Sequence, residues 1–169
     1  MPTLPAGTYP AFTESYIKLV ETSTINEAIE KYAGSILDFF RDIPNEKINY
    51  RYAEGKWSIK EVLQHVIDTE RIFAYRALRI ARNDKTALAG FDENKYAVAS
   101  NATARSWEEL LRELEAVRRS TDLLLKSFTD EQLERAGTTN NSPNTTEAIS
   151  FTIFGHILHH INIIKERYL

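Results

Sequence analysis

The chain contains no cysteine among its 169 residues, and it has only six glycines and five prolines. The lack of cysteine excludes disulfide bonds, zinc sites built from thiolates and a nucleophilic thiol supplied by the protein itself. Any bound metal must therefore be held by histidine, aspartate, glutamate or backbone oxygen. No apolar run approaches the roughly 20 residues that a membrane-spanning helix needs. The first residues also lack the basic and apolar segments of a signal peptide, so we expect a soluble cytoplasmic protein.

The charged residues show no excess of one sign that would suit a nucleic-acid partner. The formal net charge is −3, from 21 Lys and Arg against 24 Asp and Glu, whereas general nucleic-acid binders carry a basic excess. A length of 169 residues corresponds to one ordinary domain. We therefore expect a single domain over residues 1–169 that acts on a small molecule, with neither nucleic acid nor a membrane as partner.

Long segments with helical periodicity, separated by the few glycines and prolines, predict an all-α protein. Capping boxes, in which Ser or Thr is followed three residues later by Glu or Gln, predict helix starts at Thr24, Ser58, Ser106 and Thr129. A last helix is expected over about 146–168. Four long amphipathic helices favour a four-helix bundle. Residues 1–23 are expected to form an extended arm with a short helix over about 12–21.

Two connections between the predicted helices have polar or irregular sequence. Residues 83–105 form a connection that is long for a helical bundle, and because long loops are often functional we expect it to cover a pocket. The short helix from Thr129 is expected to end at Gly137, and residues 140–145 are expected to form a polar loop. No segment shows the alternating pattern that predicts a β-strand.

Three of the four histidines occupy positions where helices can bring them together. His156 and His160 are one helical turn apart in the last predicted helix, and His65 lies far earlier, in the second. On a helical wheel His156 and His160 are neighbours at the edge of the apolar face, whereas His159 turns toward solvent. Neutral imidazole binds several divalent metals, and three protein ligands leave coordination positions open. The pattern predicts a three-histidine metal site, with zinc or nickel expected before manganese or iron; the alternative is that these are ordinary core histidines.

Two charged residues of the second predicted helix are candidates for catalysis. Glu70 falls in the middle of the apolar face, where an unpaired carboxylate is costly, so we expect it to pair with Arg118, Arg167 or a metal-bound water. It can serve as a structural ion pair or as a catalytic base. Arg76 lies on the same stripe of the helix as His65. It is either a functional residue at the site or an arginine whose stem covers apolar surface.

The segments around these histidines resemble the DinB-like family. Residues 56–71, KWSIKEVLQHVIDTER, are similar to the second-helix signature of that family. Residues 155–168, which begin GHILHH, are similar to its closing helix. Residues 73–82 and the later Gly90-Phe91-Asp92 also resemble the family, so the similarity covers most of the chain from around Ser35 onward.

The resemblance implies a four-helix bundle with up-down-down-up connectivity, often assembled as a homodimer. It also implies a divalent metal held by His65, His156 and His160, which are the residues that the helical wheel selects. The group includes bacillithiol transferases and the metal-binding domain of mycothiol-dependent maleylpyruvate isomerase. It therefore favours a metal-dependent enzyme that transfers an external low-molecular-weight thiol to an electrophile.

Two other functions are compatible with the same residues. The first is a metal-dependent hydrolase that cleaves an ester or an amide, with Glu70 as a proton acceptor. The second is a metal-stabilised bundle that binds a small molecule or a partner protein without turnover. A fourth protein ligand, such as Glu70 or Asp68, would favour the structural role, whereas an open coordination position would favour catalysis.

Overall fold

Seven α-helices and one β-hairpin form the fold, in a computed structural model that describes residues 1–169. The four long helices are α2 (Ile25–Arg41), α3 (Ile59–Ala81), α5 (Trp107–Lys126) and α7 (Thr146–Arg167). The shorter elements are α1 (Glu14–Ile17), α4 (Glu93–Ala99), α6 (Asp130–Glu134), β1 (Ala136–Thr139) and β2 (Ser142–Thr145). None of the helices combines the length and the apolar character needed to span a bilayer.

The long helices begin at hydrogen-bonded caps. At Thr24, Ser58 and Ser106 the side-chain oxygen accepts a hydrogen bond from the backbone N–H three residues later, and the glutamate there accepts one from the cap residue's own N–H. The last long helix begins after Thr145, whose hydroxyl oxygen accepts a hydrogen bond from the N–H of Ala148. Because these bonds satisfy N–H groups that a helix start leaves free, the starts of the long helices are encoded locally.

Each long helix packs against two others, and the diagonal pairs of the bundle are α2 with α3 and α5 with α7. Both α2 and α3 pack against α5 and α7. The start of α3 lies beside the start of α5, where Lys60 Nζ donates to the carbonyl oxygen of Arg105 at 2.6 Å, so these helices are parallel. The end of α7 lies at the start of α3, where the Tyr168 hydroxyl donates to the carbonyl oxygen of Trp57 at 2.7 Å, so α3 and α7 are antiparallel.

The α2 helix is parallel to α7, because Lys165 near the end of α7 lies over the ring of Phe39 near the end of α2, with Nζ 5.4 Å from the ring centroid. Together these directions give the up-down-down-up order, so the predicted four-helix bundle is confirmed. The apolar core lies between the four helices, and each contributes fully buried side chains such as Phe40, Leu63, Leu114 and Phe154.

Residues 136–145 form a β-hairpin, so the prediction of a polar loop without strands was wrong. The strands β1 and β2 pair in antiparallel register, with Gly137 opposite Asn144. Asn140 and Asn141 connect them, with φ angles of 48° and 61°. Two consecutive residues with positive φ are typical of a tight hairpin turn, and asparagine tolerates this conformation. Short polar strands lack the alternation that predicts a sheet, and the Asn-Asn pair is the one local signal for this hairpin.

Three other segments differ in detail from their predictions. The short helix expected over residues 12–21 is a 3-10 turn at Ala11–Thr13 followed by α1. The helix expected to end at Gly137 ends at Glu134, because the chain then extends into β1. The long connection over 83–105 contains α4, whose start is capped by the Asp92 carboxylate.

The N-terminal arm lies against α7 at a position where α7 has a glycine. A Cβ atom built on Gly155 would stand 2.1 Å from the backbone carbonyl oxygen of Tyr16 in α1. No side chain fits in that space, so the arm can approach α7 this closely only because residue 155 is glycine.

We expect Gly155→Ala to displace the arm and to lower the free energy of unfolding by about 1–3 kcal/mol, the usual cost of overpacking. Hydrogen exchange of residues 10–20 would measure the displacement, and urea unfolding would measure the stability. The matched control is Gly34→Ala in α2, where a Cβ meets nothing within 4 Å and alanine is the better helix former. Unchanged exchange and stability in Gly155→Ala would contradict this close contact.

Candidate metal centre

Three histidine side chains from two antiparallel helices meet at one point. His65 on α3 faces His156 and His160 on α7. The Nε2 atom of His156 lies 3.1 Å from Nε2 of His65 and 3.1 Å from Nε2 of His160. The three candidate ligand atoms lie within 4.8 Å of one another, and no carboxylate joins the group. His159 is not part of it, as the helical wheel predicts.

The nitrogen arrangement suits a cation better than it suits hydrogen bonding. A neutral imidazole nitrogen carries either one N–H or one lone pair, so His156 Nε2 can pair with only one of its two neighbours at a time. A divalent cation accepts all three lone pairs together. In a tetrahedral zinc site with Zn–N bonds of about 2.0–2.1 Å, the ligand nitrogens stand about 3.3 Å apart. The two separations from His156 Nε2, 3.1 Å each, are close to that value, so the donor set fits a divalent metal.

Burial keeps all three imidazoles in the neutral form that metals bind. Loss of hydration lowers the pKa of His65 to about 4. Burial and then the neighbouring His65 and His159 lower the pKa of His160 to about 3. Burial and the same cluster lower the pKa of His156 well below its usual range. At neutral pH the three rings are therefore uncharged and have lone pairs available for a metal.

Neighbouring side chains orient the His65 ring. Thr69, one turn further along α3, has its hydroxyl oxygen 3.4 Å from His65 Nδ1, so a proton on Nδ1 leaves the Nε2 lone pair facing the other histidines. The Trp57 ring packs against the opposite side, with centroids 4.9 Å apart. Partners of this kind set the tautomer and ring direction of metal-binding histidines.

The histidines line a cavity of about 390 Å³, a volume in the range of small-molecule sites. The connection over 83–105 contributes Gly90, Phe91 and Glu93 to its wall, which confirms the prediction that this connection covers a pocket.

Other parts of the wall come from segments that the sequence did not indicate as functional. Tyr16 of the arm packs edge-on against His156, with centroids 5.5 Å apart, and against His159 at 5.0 Å. The hairpin contributes Asn140 and Asn144. The Asn-Asn turn could have located the hairpin from sequence, whereas nothing in the arm indicates that it reaches this cavity.

Arg76 lies in the same cavity, as its position on the His65 stripe suggested. Its side chain is buried, and Nη2 donates to the carbonyl oxygen of Ala89 at 2.7 Å. The guanidinium carbon lies 5.7 Å from the ring centroid of Phe73 and 5.9 Å from that of Phe91. Burial lowers the Arg76 pKa from its usual value. Because arginine is not deprotonated in proteins, the group is a cation in the cavity wall.

Glu70 lies on another face of α3 and does not line this cavity. Its Oε1 atom is 2.9 Å from Nη1 of Arg118, and both side chains are about 1% exposed. Arg118 also pairs with Asp122 and lies over the ring of Phe154, 4.8 Å from its centroid. Burial raises the pKa of Glu70, and the Arg118 charge opposes that effect. Of the three partners expected for Glu70, the structure has Arg118, which ties α3 to α5.

The chain is similar to one protein family and to two named relatives. The family model described as the DinB superfamily matches residues 28–164. An Oceanobacillus iheyensis protein named "Putative metal-dependent hydrolase" is 26% identical over 109 residues, which cover 64% of this chain and 62% of that protein. The match thus spans less than two thirds of that relative. A Geobacillus thermodenitrificans protein of the same name is 24% identical over 131 residues, covering 78% of this chain and 72% of that protein.

One solved structure has the same fold over almost the whole chain. YfiT from Bacillus subtilis, described as a probable metal-dependent hydrolase with an unusual four-helix bundle topology, matches with a TM-score of 0.72. The match covers 98% of this chain and 91% of YfiT at 17% sequence identity. Since the DinB superfamily model spans most of the chain and includes His65, His156 and His160, the protein belongs to that superfamily.

Proposed function

We propose that this protein is a divalent-metal-dependent hydrolase that acts on a small molecule. The observation that carries the proposal is the convergence of three imidazole nitrogens on the wall of a cavity, from the buried His65 and His156 and the partly buried His160. The names of the two relatives support hydrolysis as the reaction. An ion held there would act as a Lewis acid and lower the pKa of a water or thiol bound to it.

In this proposal the protein's own side chains would hold the ion and accept a proton. His65, His156 and His160 bring no charge to the site, so the full charge of the ion acts on the bound molecule. Two titratable side chains outside the ligand group, His159 and Glu93, line the same cavity and are placed to accept a proton from water within it. They replace Glu70 in that role in our proposal, because Glu70 lies in the ion pair with Arg118.

A second candidate reaction is transfer of an external thiol to an electrophile. It is supported by the same neutral ligand set, because an ion held by it would bind a thiolate, and by the family resemblance of the two histidine segments. Because the chain has no cysteine, the sulfur must come from a small-molecule thiol. A non-catalytic, metal-stabilised module is less well supported, since only three protein groups converge and structural zinc sites almost always have four.

The test uses protein purified without a nickel column, stripped with a chelator and reloaded separately with zinc, nickel, manganese or iron. We expect metal-dependent hydrolysis of at least one member of an ester and amide panel, since a divalent ion in an open site activates water. A parallel panel pairs low-molecular-weight thiols with electrophiles. Turnover only in the thiol panel would replace hydrolysis with thiol transfer.

The control for this experiment is His156→Ala, which lacks the central nitrogen of the cluster and should be inactive with every metal. Loss of turnover in His159→Gln or Glu93→Gln, with metal content retained, would identify the proton acceptor. One bound ion per chain without turnover in either panel would contradict the enzymatic proposal and leave the binding module.

A further inference from the structure

Arg76 is a buried cation without an anionic partner in the protein. Its side chain is 7% exposed, and the one hydrogen bond that it donates goes to a neutral carbonyl oxygen, that of Ala89. Burial lowers its pKa, and no carboxylate pairs with the guanidinium. Glu93, the acidic residue of the cavity wall, is exposed and does not compensate the guanidinium. A buried charge left in this state is costly.

Aromatic rings hold the guanidinium in place at the cavity wall. The guanidinium carbon lies 5.7 Å from the ring centroid of Phe73 and 5.9 Å from that of Phe91, within the range of cation–π contact. Phe73 also packs edge-on against His156, with centroids 5.9 Å apart. The guanidinium and the histidine cluster therefore contact the same ring, that of Phe73, and both line the same cavity, so one small organic molecule can reach both.

A second polar group of the same cavity also lacks a partner. Asn144 is 6% exposed, its Nδ2 donates to the Thr139 hydroxyl oxygen at 3.2 Å, and its Oδ1 has no hydrogen-bond partner. The Thr139 hydroxyl can either accept or donate. With the amide turned over, Asn144 would accept from Thr139 and keep a free N–H donor. In either orientation one half of a buried amide is left for a polar ligand.

We propose that Arg76 forms an anion-binding subsite, and that the molecule handled at the histidine cluster carries a carboxylate or a phosphate. The planar guanidinium suits both groups, because it can donate two parallel hydrogen bonds to either. The subsite itself depends only on Arg76 and its surroundings. That the same molecule reaches the histidines rests on the proposed function.

The first experiment measures anion binding to metal-stripped protein, with inorganic phosphate and succinate as separate probes. Binding is followed by calorimetry and by the shift in melting temperature. We expect at least one probe to bind the wild type, and Arg76→Gln to weaken that binding by about 10- to 100-fold, as for loss of a hydrogen bond to a charged group. Preference between the two probes distinguishes a carboxylate from a phosphate subsite.

Two further variants keep this experiment decisive. Arg76→Lys retains the positive charge but not the planar guanidinium, so we expect it to bind the anion with intermediate affinity. Circular dichroism would verify that this variant is folded. Arg82→Gln, at the end of the same helix, removes an exposed arginine outside the cavity and should bind like the wild type. Equal binding by the wild type, Arg76→Gln and Arg82→Gln, or binding of neither probe, would overturn the subsite.

The second experiment uses metal-loaded protein and ester pairs that differ only in a distal carboxylate or phosphate. We expect the wild type to favour the anionic ester in kcat/KM by about 10- to 100-fold, and Arg76→Gln to bring that ratio close to one. No turnover of any ester, together with Arg76-dependent anion binding, would reject the proposed hydrolysis while supporting the subsite. Turnover without preference for the anionic esters would reject the substrate class.

Discussion

Replacement of His156 by alanine should abolish stoichiometric metal binding. His156 Nε2 lies 3.1 Å from both of the other candidate ligand atoms. Its loss therefore removes the central ligand and leaves two imidazoles to hold the ion. Loss of an outer partner of a metal ligand costs about 10–100-fold in affinity, and loss of a ligand itself should cost more. We expect His65→Ala and His160→Ala to behave similarly. Elemental analysis after dialysis, and competition with a chromophoric chelator, would measure the change.

His159→Ala is the matched control, because it removes an imidazole adjacent in sequence to His160 and lining the same cavity. His159 is outside the group of converging ligand atoms, so the variant should keep about the wild-type metal content. Equal loss of metal from His156→Ala and His159→Ala would show that the cluster does not define the site. Full metal content in His156→Ala would show that the ion is held elsewhere.

The second large effect is expected from Arg118→Met, which should lower the free energy of unfolding by about 3–5 kcal/mol, the usual cost of breaking a buried ion pair from one side. The substitution leaves the Glu70 carboxylate buried with no cation, and it also leaves Asp122 without its partner. Methionine approximates the length of the arginine stem, so lost packing on Phe154 contributes little. Urea unfolding at pH 7 would measure the change.

Two controls separate charge from packing in this experiment. Arg112→Met removes an arginine whose ion pair with Glu108 is largely exposed, and exposed pairs of this kind contribute little, so we expect no measurable change. The double variant Glu70→Leu with Arg118→Met removes both buried charges and should recover much of the lost stability. If the double variant is less stable than Arg118→Met alone, the two side chains stabilise the fold by packing rather than by the attraction of their charges.

Much of the helical framework was predictable because its signals are local. A capping box involves residues three positions apart, and a helix face involves residues three or four apart. The same local geometry predicted that His156 and His160 lie on one face of the last helix and His159 on another. The contact of His65 with the histidines of α7 joins distant parts of the chain. Its prediction was supported by the resemblance of two distant segments to one family.

The remaining features depend on contacts that no local pattern encodes. The wheel placed Glu70 correctly in the buried arc of α3, but that arc is shared between α5 and α7, and angle alone does not say which helix a residue faces. Glu70 faces α5 and Arg118, whereas His65 faces α7. The hairpin and the arm contribute to the cavity through short polar strands and irregular backbone, which lack the periodicity of an amphipathic element.

The arm and the ligands belong to parts of the chain that can vary separately. Tyr16 lies before the segment 28–164 that the family model matches, yet it packs against two of the four imidazoles. A substitution in residues 10–16 can therefore reshape the cavity wall while leaving the three candidate ligand nitrogens in place. If the proposed ion binds at the histidines, selectivity among substrates can change in this way while the ion is retained.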